Sequence, residues 1–171
     1  MVKMTSASAN KLLNKLNEEK RYWTSKEEEG CTYVAALDEE PLIPSYSYEE
    51  VSQKITEIDE KVLKIKHAIN ISNATNEIEI GDTKMTVDMI LVKMAQLNRR
   101  KDMYNFMRRQ EPKTRLNSGR FTTKNSVPEY RYINYDLNRA EEDFQRVDEE
   151  IVGMQLALDK YNQTVEFEVD F

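Results

Sequence analysis

The stretch of sequence that decides the fold is LNRAEEDFQRVDEEIVGMQLALDKY, residues 137–161. Its apolar side chains recur at alternating spacings of three and four positions, which is the heptad pattern of a helix that packs against another helix. Asp136 or Asn134 stands before it as a helix cap. We therefore predict a long amphipathic helix over residues 136–162. The residues of this seam are Leu137, Ala140, Phe144, Val147, Ile151, Met154, Leu158 and Tyr161.

Residues 47–72 carry the same heptad pattern. Ser47 and Glu50 have the spacing of a capping box, in which the two side chains satisfy free backbone N–H groups. A helix cannot bury a narrow apolar stripe by itself, so each of these two helices must pair with another helix. We expect helical hairpins joined into a homo-oligomer. No internal repeat is evident beyond the shared heptads. The second seam consists of Val51, Ile55, Ile58, Val62, Ile65 and Ile69.

Two more helices are predicted, over residues 5–29 and 87–110. Gly30 is expected to stop the first of them, because glycine adopts positive φ at little cost. Pro112 is expected to stop the second, because proline lacks a backbone donor. The fold class predicted for the single domain of residues 1–171 is mainly α, with about four helices in antiparallel hairpins or a coiled coil.

Short extended segments are expected between and after the helices. Gly81 and Asp82 suit a two-residue type II′ turn between two short strands. Residues 165–171 alternate apolar and polar side chains, as a strand does. The predicted segments are a short strand and loop at 31–46, a hairpin at 77–87, a basic loop at 111–128 and a C-terminal strand at 165–171.

The composition excludes several classes of site. The chain has one Cys and one His, which excludes a disulfide framework and a cysteine- or histidine-rich metal site. It has no glycine-rich phosphate loop, and we expect no cofactor, no metal and no enzymatic activity. No apolar run approaches the length of about 20 residues that crosses a bilayer. A cytoplasmic protein that does not bind membranes is therefore expected.

Positive charge is concentrated in one part of an acidic chain. The net charge is −6, yet the segment from Arg99 to Lys124 holds nine basic residues opposed only by Asp102 and Glu111. Arginine forks bind phosphate in bidentate fashion, and aromatic rings stack on nucleotide bases. The acidic remainder of the chain makes extended nucleic acid a less favoured ligand than a small anion. The residues expected to hold the anion are Arg108, Arg109, Lys113, Arg115 and Arg120, with Tyr132 or Tyr135 stacking on it.

The chain resembles a family of small, uncharacterised helical proteins of gut clostridia, related bacteria and their mobile elements. More distantly, its plan is similar to proteins labelled septicolysin-like, a label that implies a cytolysin. The resemblance implies a helical fold and supplies no catalytic residues. It is carried by Thr5-Ser6-Ala7, Ala9-Asn10-Lys11-Leu12-Leu13, Val34-Ala35-Ala36, Lys66-His67-Ala68-Ile69-Asn70, Met85-Thr86-Val87-Asp88-Met89, Pro112-Lys113-Thr114-Arg115 and Asn134-Tyr135-Asp136.

Three functions are compatible with these patterns. The first is a non-enzymatic, homo-oligomeric binding protein that holds a phosphate-bearing ligand, such as a cyclic or linear nucleotide, and sequesters a signal. The second is a structural or adaptor protein that recruits a partner through its heptad seams, with the basic segment paired to acidic helices of a neighbouring protomer. The third, which only the family label suggests, is a membrane-active protein.

Overall fold

The computed structural model describes residues 1–116 and 127–170. Four long helices dominate the fold, and short antiparallel strands stand at their ends, so the predicted mainly helical class is confirmed. In chain order the elements are β1 (Val2–Thr5), α1 (Ser6–Gly30), α2 (Tyr48–Thr75), β2 (Glu77–Ile80), β3 (Thr83–Thr86), α3 (Val87–Met107), β4 (Lys113–Arg115), β5 (Tyr130–Tyr132), α4 (Leu137–Thr164) and β6 (Glu166–Val169).

The helices form two antiparallel hairpins, α1 with α2 and α3 with α4. Each hairpin has its own apolar core: Ile65 of α2 is fully buried in the first, and Met154 of α4 is buried in the second. The residues of the heptad seams of α2 and α4 are therefore buried or half-buried within this chain. The molecule exposes 13454 Å² of surface, well above the roughly 8,700 Å² expected of a compact monomer of this size, which indicates an extended arrangement of the hairpins.

Two strand pairs connect the hairpins. β2 and β3 form the predicted hairpin, in which Gly81 has a φ of 58°, as the first position of a type II′ turn requires. β6 pairs with β1, so the C-terminal strand joins the N-terminal strand of its own chain. Val169 of β6 is buried in the core of the first hairpin, and Ile78 of β2 packs on the core of the second. Each half of the chain thus contributes a strand to the other half.

The two halves of the chain repeat one architecture, strand–helix–helix–strand. Lys3-Met4-Thr5 in β1 corresponds to Lys84-Met85-Thr86 in β3, and in both strands the methionine is buried and the threonine is the N-cap of the next helix. The pairing of β1 with β6 matches the pairing of β3 with β2 at every position of the register. The expectation that the chain has no repeat beyond the heptads is therefore wrong.

An ion pair between the helices recurs in the two halves. Lys20 of α1 binds Asp59 of α2 at 2.6 Å, and the equivalent Lys101 of α3 binds Asp148 of α4. The equivalent core positions on α2 and α4 are Val51 and Ala140, Ile58 and Val147, Ile65 and Met154, and Ser72 and Tyr161, all of which are buried. The hairpins are thus related by an approximate two-fold axis, as two subunits of a symmetric dimer are.

The structure corrects several predicted boundaries. Residues 31–46 contain no strand, and α3 ends at Met107 rather than at residue 110. The loop predicted at 111–128 contains strand β4, and the N-terminal strand β1 was not expected at all. The predicted C-terminal strand is confirmed over Glu166–Val169. Residues 117–126 and Phe171 lie outside the described residues.

Candidate anion-binding site on a basic and aromatic strand pair

The basic segment of the sequence leads into a short antiparallel strand pair, β4 with β5. In its register Lys113 lies opposite Tyr132, and Arg115 lies opposite Tyr130. Side chains alternate between the two faces of a strand, and directly opposed residues share a face. Lys113, Arg115, Tyr130 and Tyr132 therefore lie on one face, which we call the basic–aromatic face. All four side chains are exposed.

Lys113 lies at the centre of the basic–aromatic face. Its Nζ atom is 4.2 Å from the ring centroid of Tyr130 and 5.5 Å from that of Tyr132. The two rings are 6.5 Å apart and tilted by 49°. A cation held over two rings contributes about 0.5–1 kcal/mol per ring at an exposed position. This contact orders the tyrosines without neutralising the ammonium charge, so the face presents both a cation and flat aromatic surface.

The other face of the strand pair has a different character. Thr114 and Arg131 are opposed there. The backbone ladder continues by one bond, from the Leu116 N–H to the Glu129 carbonyl at 2.9 Å. By alternation along the strand, Glu129 shares the face of Arg131 and lies away from Lys113 and Arg115. Glu129 thus lies on the face opposite the basic–aromatic face.

Arg108 is engaged within the protein. Its guanidinium donates to both carboxylate oxygens of Glu141 on α4, at 2.9 and 3.2 Å, and also to Asn105 at 3.1 Å. Its Cζ atom lies 3.8 Å from the centroid of the Phe144 ring. These contacts fasten the end of α3 to α4. The structure therefore gives Arg108 a structural role beside the strand pair, apart from the basic–aromatic face.

Tyr135 also supports the fold next to the strand pair. Its hydroxyl donates to the Met107 carbonyl at 2.8 Å, which satisfies an acceptor at the C-terminal end of α3. Arg109 is exposed at the same helix end. Arg120 lies outside the described residues. Of the residues proposed from sequence, the structure brings Lys113, Arg115 and Tyr132 together on one face, and it adds Tyr130.

Basic residues further up α3 are partly engaged as well. The Arg100 guanidinium lies 4.5 Å from the Tyr104 ring centroid, and Lys101 pairs with Asp148. The positive charge of the sequence segment is therefore divided between helix-to-helix contacts and the exposed strand pair. The strand pair combines exposed cations that form no ion pair among the described residues with two exposed aromatic rings.

The strand pair breaks the symmetry of the fold. The first hairpin joins its helices by residues 31–47, which form no strand, whereas the second joins them through β4 and β5. Packing alone does not require the addition, because the first hairpin forms an equivalent core without it. The strand pair is therefore an addition to the second half that has no counterpart in the first half.

Two open grooves lie elsewhere in the molecule and are equivalent to one another. One, with a volume of about 510 Å³, lies between α2 and β6 beside His67 and Phe167. The other, of about 470 Å³, lies between α4 and β2 beside Ala157 and Ile78. Because the grooves occupy the same place in both halves, they follow from the way each exchanged strand packs on a helix. We assign the candidate site to the strand pair because of its exposed cations and aromatic rings.

Over residues 1–116 and 127–170, no group of three or more His, Cys, Asp or Glu side chains is placed to hold a metal ion. Within the same part of the chain, none of the helices has both the length and the apolar character needed to cross a bilayer.

Comparison with known proteins gives information about the fold only. No protein-family model and no curated protein sequence matches this chain. A similar solved structure is the crystal structure of a functionally unknown conserved protein from Corynebacterium diphtheriae. It aligns with a TM-score of 0.64 and 13% sequence identity, over 98% of this chain and 100% of that chain. The likeness over both whole lengths shows that the two proteins share the fold.

Proposed function

We propose that this protein is a non-enzymatic binding protein that holds a phosphate-bearing anion, such as a nucleotide, on the basic–aromatic face. The observation that carries the proposal is the placement of Lys113 and Arg115 directly opposite Tyr132 and Tyr130, with all four side chains exposed. The four side chains supply charge and stacking surface, which are the two elements that nucleotide binding needs.

The chemistry divides between the two kinds of side chain. The Arg115 guanidinium offers a planar fork for two phosphate oxygens, and the Lys113 ammonium offers a point charge beside it. Tyr132, which is 63% exposed, offers its ring to a base. A stacked base contributes about 1–3 kcal/mol. Charge therefore attracts the ligand, and stacking favours anions that carry an aromatic base over inorganic phosphate.

A small ligand suits this face better than extended nucleic acid. The strand pair is short, with three residues in each strand, so it has room for one or two nucleotide units. The chain as a whole carries a net charge of −6, which repels a long polyanion beyond the contact area. We propose that a cytoplasmic protein of this kind acts by sequestering its ligand.

The adaptor function has less structural support. It requires the heptad seams of α2 and α4 to be available to a partner helix, but Ile58, Ile65 and Met154 of these seams are buried in the cores of their own hairpins. A homo-oligomer built on the seams would need the hairpins to open. The strand pair, in contrast, is exposed without any such opening.

Thermal denaturation with a panel of nucleotides tests the proposed function. At a ligand concentration of about 100 times Kd, binding adds about 2.7 kcal/mol to the free energy of unfolding. We expect at least one nucleotide to raise the Tm of the wild type and to leave the Tm of Lys113→Ala/Arg115→Ala unchanged. A wild-type Tm that no nucleotide raises would contradict the proposal.

A further inference from the structure

The connection between α1 and α2, residues 31–47, exposes large apolar side chains to an unusual degree. Val34, Leu37 and Leu42 are 98%, 106% and 95% exposed. Tyr33 and Ile43 are also more than half exposed. Apolar side chains gathered in one exposed segment are typical of a surface that contacts a partner.

Part of the backbone of this connection is unpaired as well. Cys31, Tyr33, Ala35 and Leu37 alternate with other residues in a pattern that predicts a strand, yet the described residues provide Thr32–Ala35 with no backbone hydrogen bond. Tyr33 and Val34 are of the aromatic and β-branched types that favour strands. The segment has the sequence of a strand and lacks a neighbouring strand within its own chain.

An acceptor for such a strand exists at the other hairpin. β4 and β5 form a two-stranded sheet, so one edge of each strand is unpaired in the described structure. An exposed edge is a template for the backbone of an incoming strand. The sheet carries Lys113, Arg115 and Arg131. The connection carries Asp38-Glu39-Glu40 immediately after its strand-like residues. The two surfaces are therefore complementary in backbone hydrogen bonding and in charge.

We propose that a second copy of this chain docks its residues 32–37 as an added strand on the edge of the β4–β5 sheet. The acidic run 38–40 then faces the cations of the sheet. The two surfaces differ, so the contact is heterologous, and each copy offers one of each to its neighbours. Copies associate head to tail, from the connection of the first hairpin to the strand pair of the second. The inference uses the edge of the sheet and does not rest on ligand binding at its face.

Sedimentation velocity of the full-length protein over a wide range of concentration tests the inference. We expect the wild type to self-associate with concentration, and more weakly at high salt because the contact is charged. Ala35→Pro removes a backbone donor from the docking strand and should abolish association. The matched control is Ser45→Pro, in the same connection but outside the strand-like residues, and it should associate as the wild type does.

Charge reversal gives a second and more specific test. Asp38→Lys/Glu39→Lys/Glu40→Lys and Lys113→Glu/Arg115→Glu should each fail to self-associate, because each makes the two surfaces alike in charge. An equimolar mixture of the two variants should associate, because each then meets an opposite charge on the other. Monomeric wild type at all concentrations, or association that survives Ala35→Pro, would overturn the inference, as would a mixture that stays monomeric.

The test is separate from that of ligand binding. The variant reversed at residues 38–40 keeps Lys113, Arg115, Tyr130 and Tyr132, so a nucleotide should raise its Tm at least as much as it raises the Tm of the wild type. Loss of association with ligand binding intact supports the docking strand alone. If the wild type self-associates but no nucleotide raises its Tm, the proposed function is contradicted and the docking inference still stands.

Discussion

Ser72 Oγ lies 2.6 Å from Tyr161 Oη, and the two residues, 89 positions apart, occupy the same place in the two halves of the chain. They meet where α2 and α4 end, beside the strands that the two halves exchange. Asn76 donates from Nδ2 to both oxygens, at 3.1 and 3.3 Å. A buried polar contact between equivalent residues is the contact expected at a two-fold axis, and it joins the two hairpins at their base.

Removing the Tyr161 hydroxyl should destabilise the whole protein. Tyr161→Phe removes the buried hydrogen bond between Tyr161 Oη and Ser72 Oγ and leaves Asn76 Nδ2 as the partner of Ser72, and one such hydrogen bond contributes about 0.5–1.5 kcal/mol. We expect the Tm to fall by several degrees in thermal denaturation followed by circular dichroism. Tyr132→Phe, at an exposed ring, is the control and should leave the Tm unchanged. An unaltered Tm in Tyr161→Phe would show that this contact contributes nothing to stability.

The exchanged strands should make the two hairpins unfold together. Trp23, the only tryptophan, packs on the core of the first hairpin, and Met154 is buried in the core of the second. Met154→Ala should cost about 2–5 kcal/mol. Because β6 contributes Val169 to the first core, we expect Trp23 fluorescence and far-UV circular dichroism to shift to the same lower denaturant midpoint. A Trp23 transition that stays at its wild-type midpoint would mean that the hairpins unfold independently.

Two glycines should respond to alanine in opposite directions. Gly81 has a φ of 58°, which an L side chain rarely adopts, so Gly81→Ala should destabilise the protein by about 1 kcal/mol. Gly153 lies in α4 with open space around its Cα, so Gly153→Ala should stabilise the protein by about 0.5–1 kcal/mol. Chemical denaturation measures both changes. If both substitutions stabilised the protein, or both destabilised it, the assigned conformations would be contradicted.

Glu57 should titrate at lower pH than an ordinary glutamate. A hydrogen bond from Gln53, followed by the charge of Lys54, lowers the pKa of its carboxyl. A lowered pKa means that this contribution to stability is present above the ordinary pKa and is lost as the pH falls through the lowered one. Gln53→Ala should raise the pKa of Glu57, as measured by NMR titration of its carboxyl carbon. Lys54→Met removes both the charge and the hydrogen bond of Lys54 and should also raise the pKa of Glu57. A pKa that stays unchanged in both variants would contradict the assigned causes.

The sequence predicted the helices well because their burial is a local pattern. The heptads of α2 and α4 and the caps at Ser47 and Asp136 follow from residues a few positions apart, and the structure shows each cap accepting a backbone N–H. Strand β1 was missed because its pairing partner, β6, lies at the other end of the chain. The strand expected at residues 31–37 has the right local composition, but a strand also needs a neighbour.

The repeat was hidden by the unequal connections. Residues 31–47 are shorter than the connection between α3 and α4, so equivalent residues of the first and second helices are separated by different numbers of positions. A single difference in residue number therefore aligns only part of the first half with the second half. The identities that remain, such as Lys3-Met4-Thr5 with Lys84-Met85-Thr86, are too few to stand out without the strand register.

The sequence predicted where along the chain the candidate site lies, but not which residues form it. Charge density along the chain pointed to residues 99–124, and Lys113, Arg115 and Tyr132 do share a face. Charge density does not reveal which cations meet a carboxylate on another helix, so Arg108 was not distinguished from Arg115. Tyr130 was not among the predicted site residues, because its role depends on the register between β4 and β5.

Isothermal titration calorimetry tests the central claim most directly, using the nucleotide that raises the Tm most. The comparison is between wild type, Lys113→Ala/Arg115→Ala and Lys11→Ala/Lys15→Ala, which removes the same charge from exposed positions on α1. We predict binding by the wild type and the α1 variant with similar Kd, and a Kd at least about tenfold weaker for the strand-pair variant, since a charged hydrogen bond contributes about 1.5–3 kcal/mol. Equal weakening in the two variants, or equal binding by all three proteins, would contradict the claim.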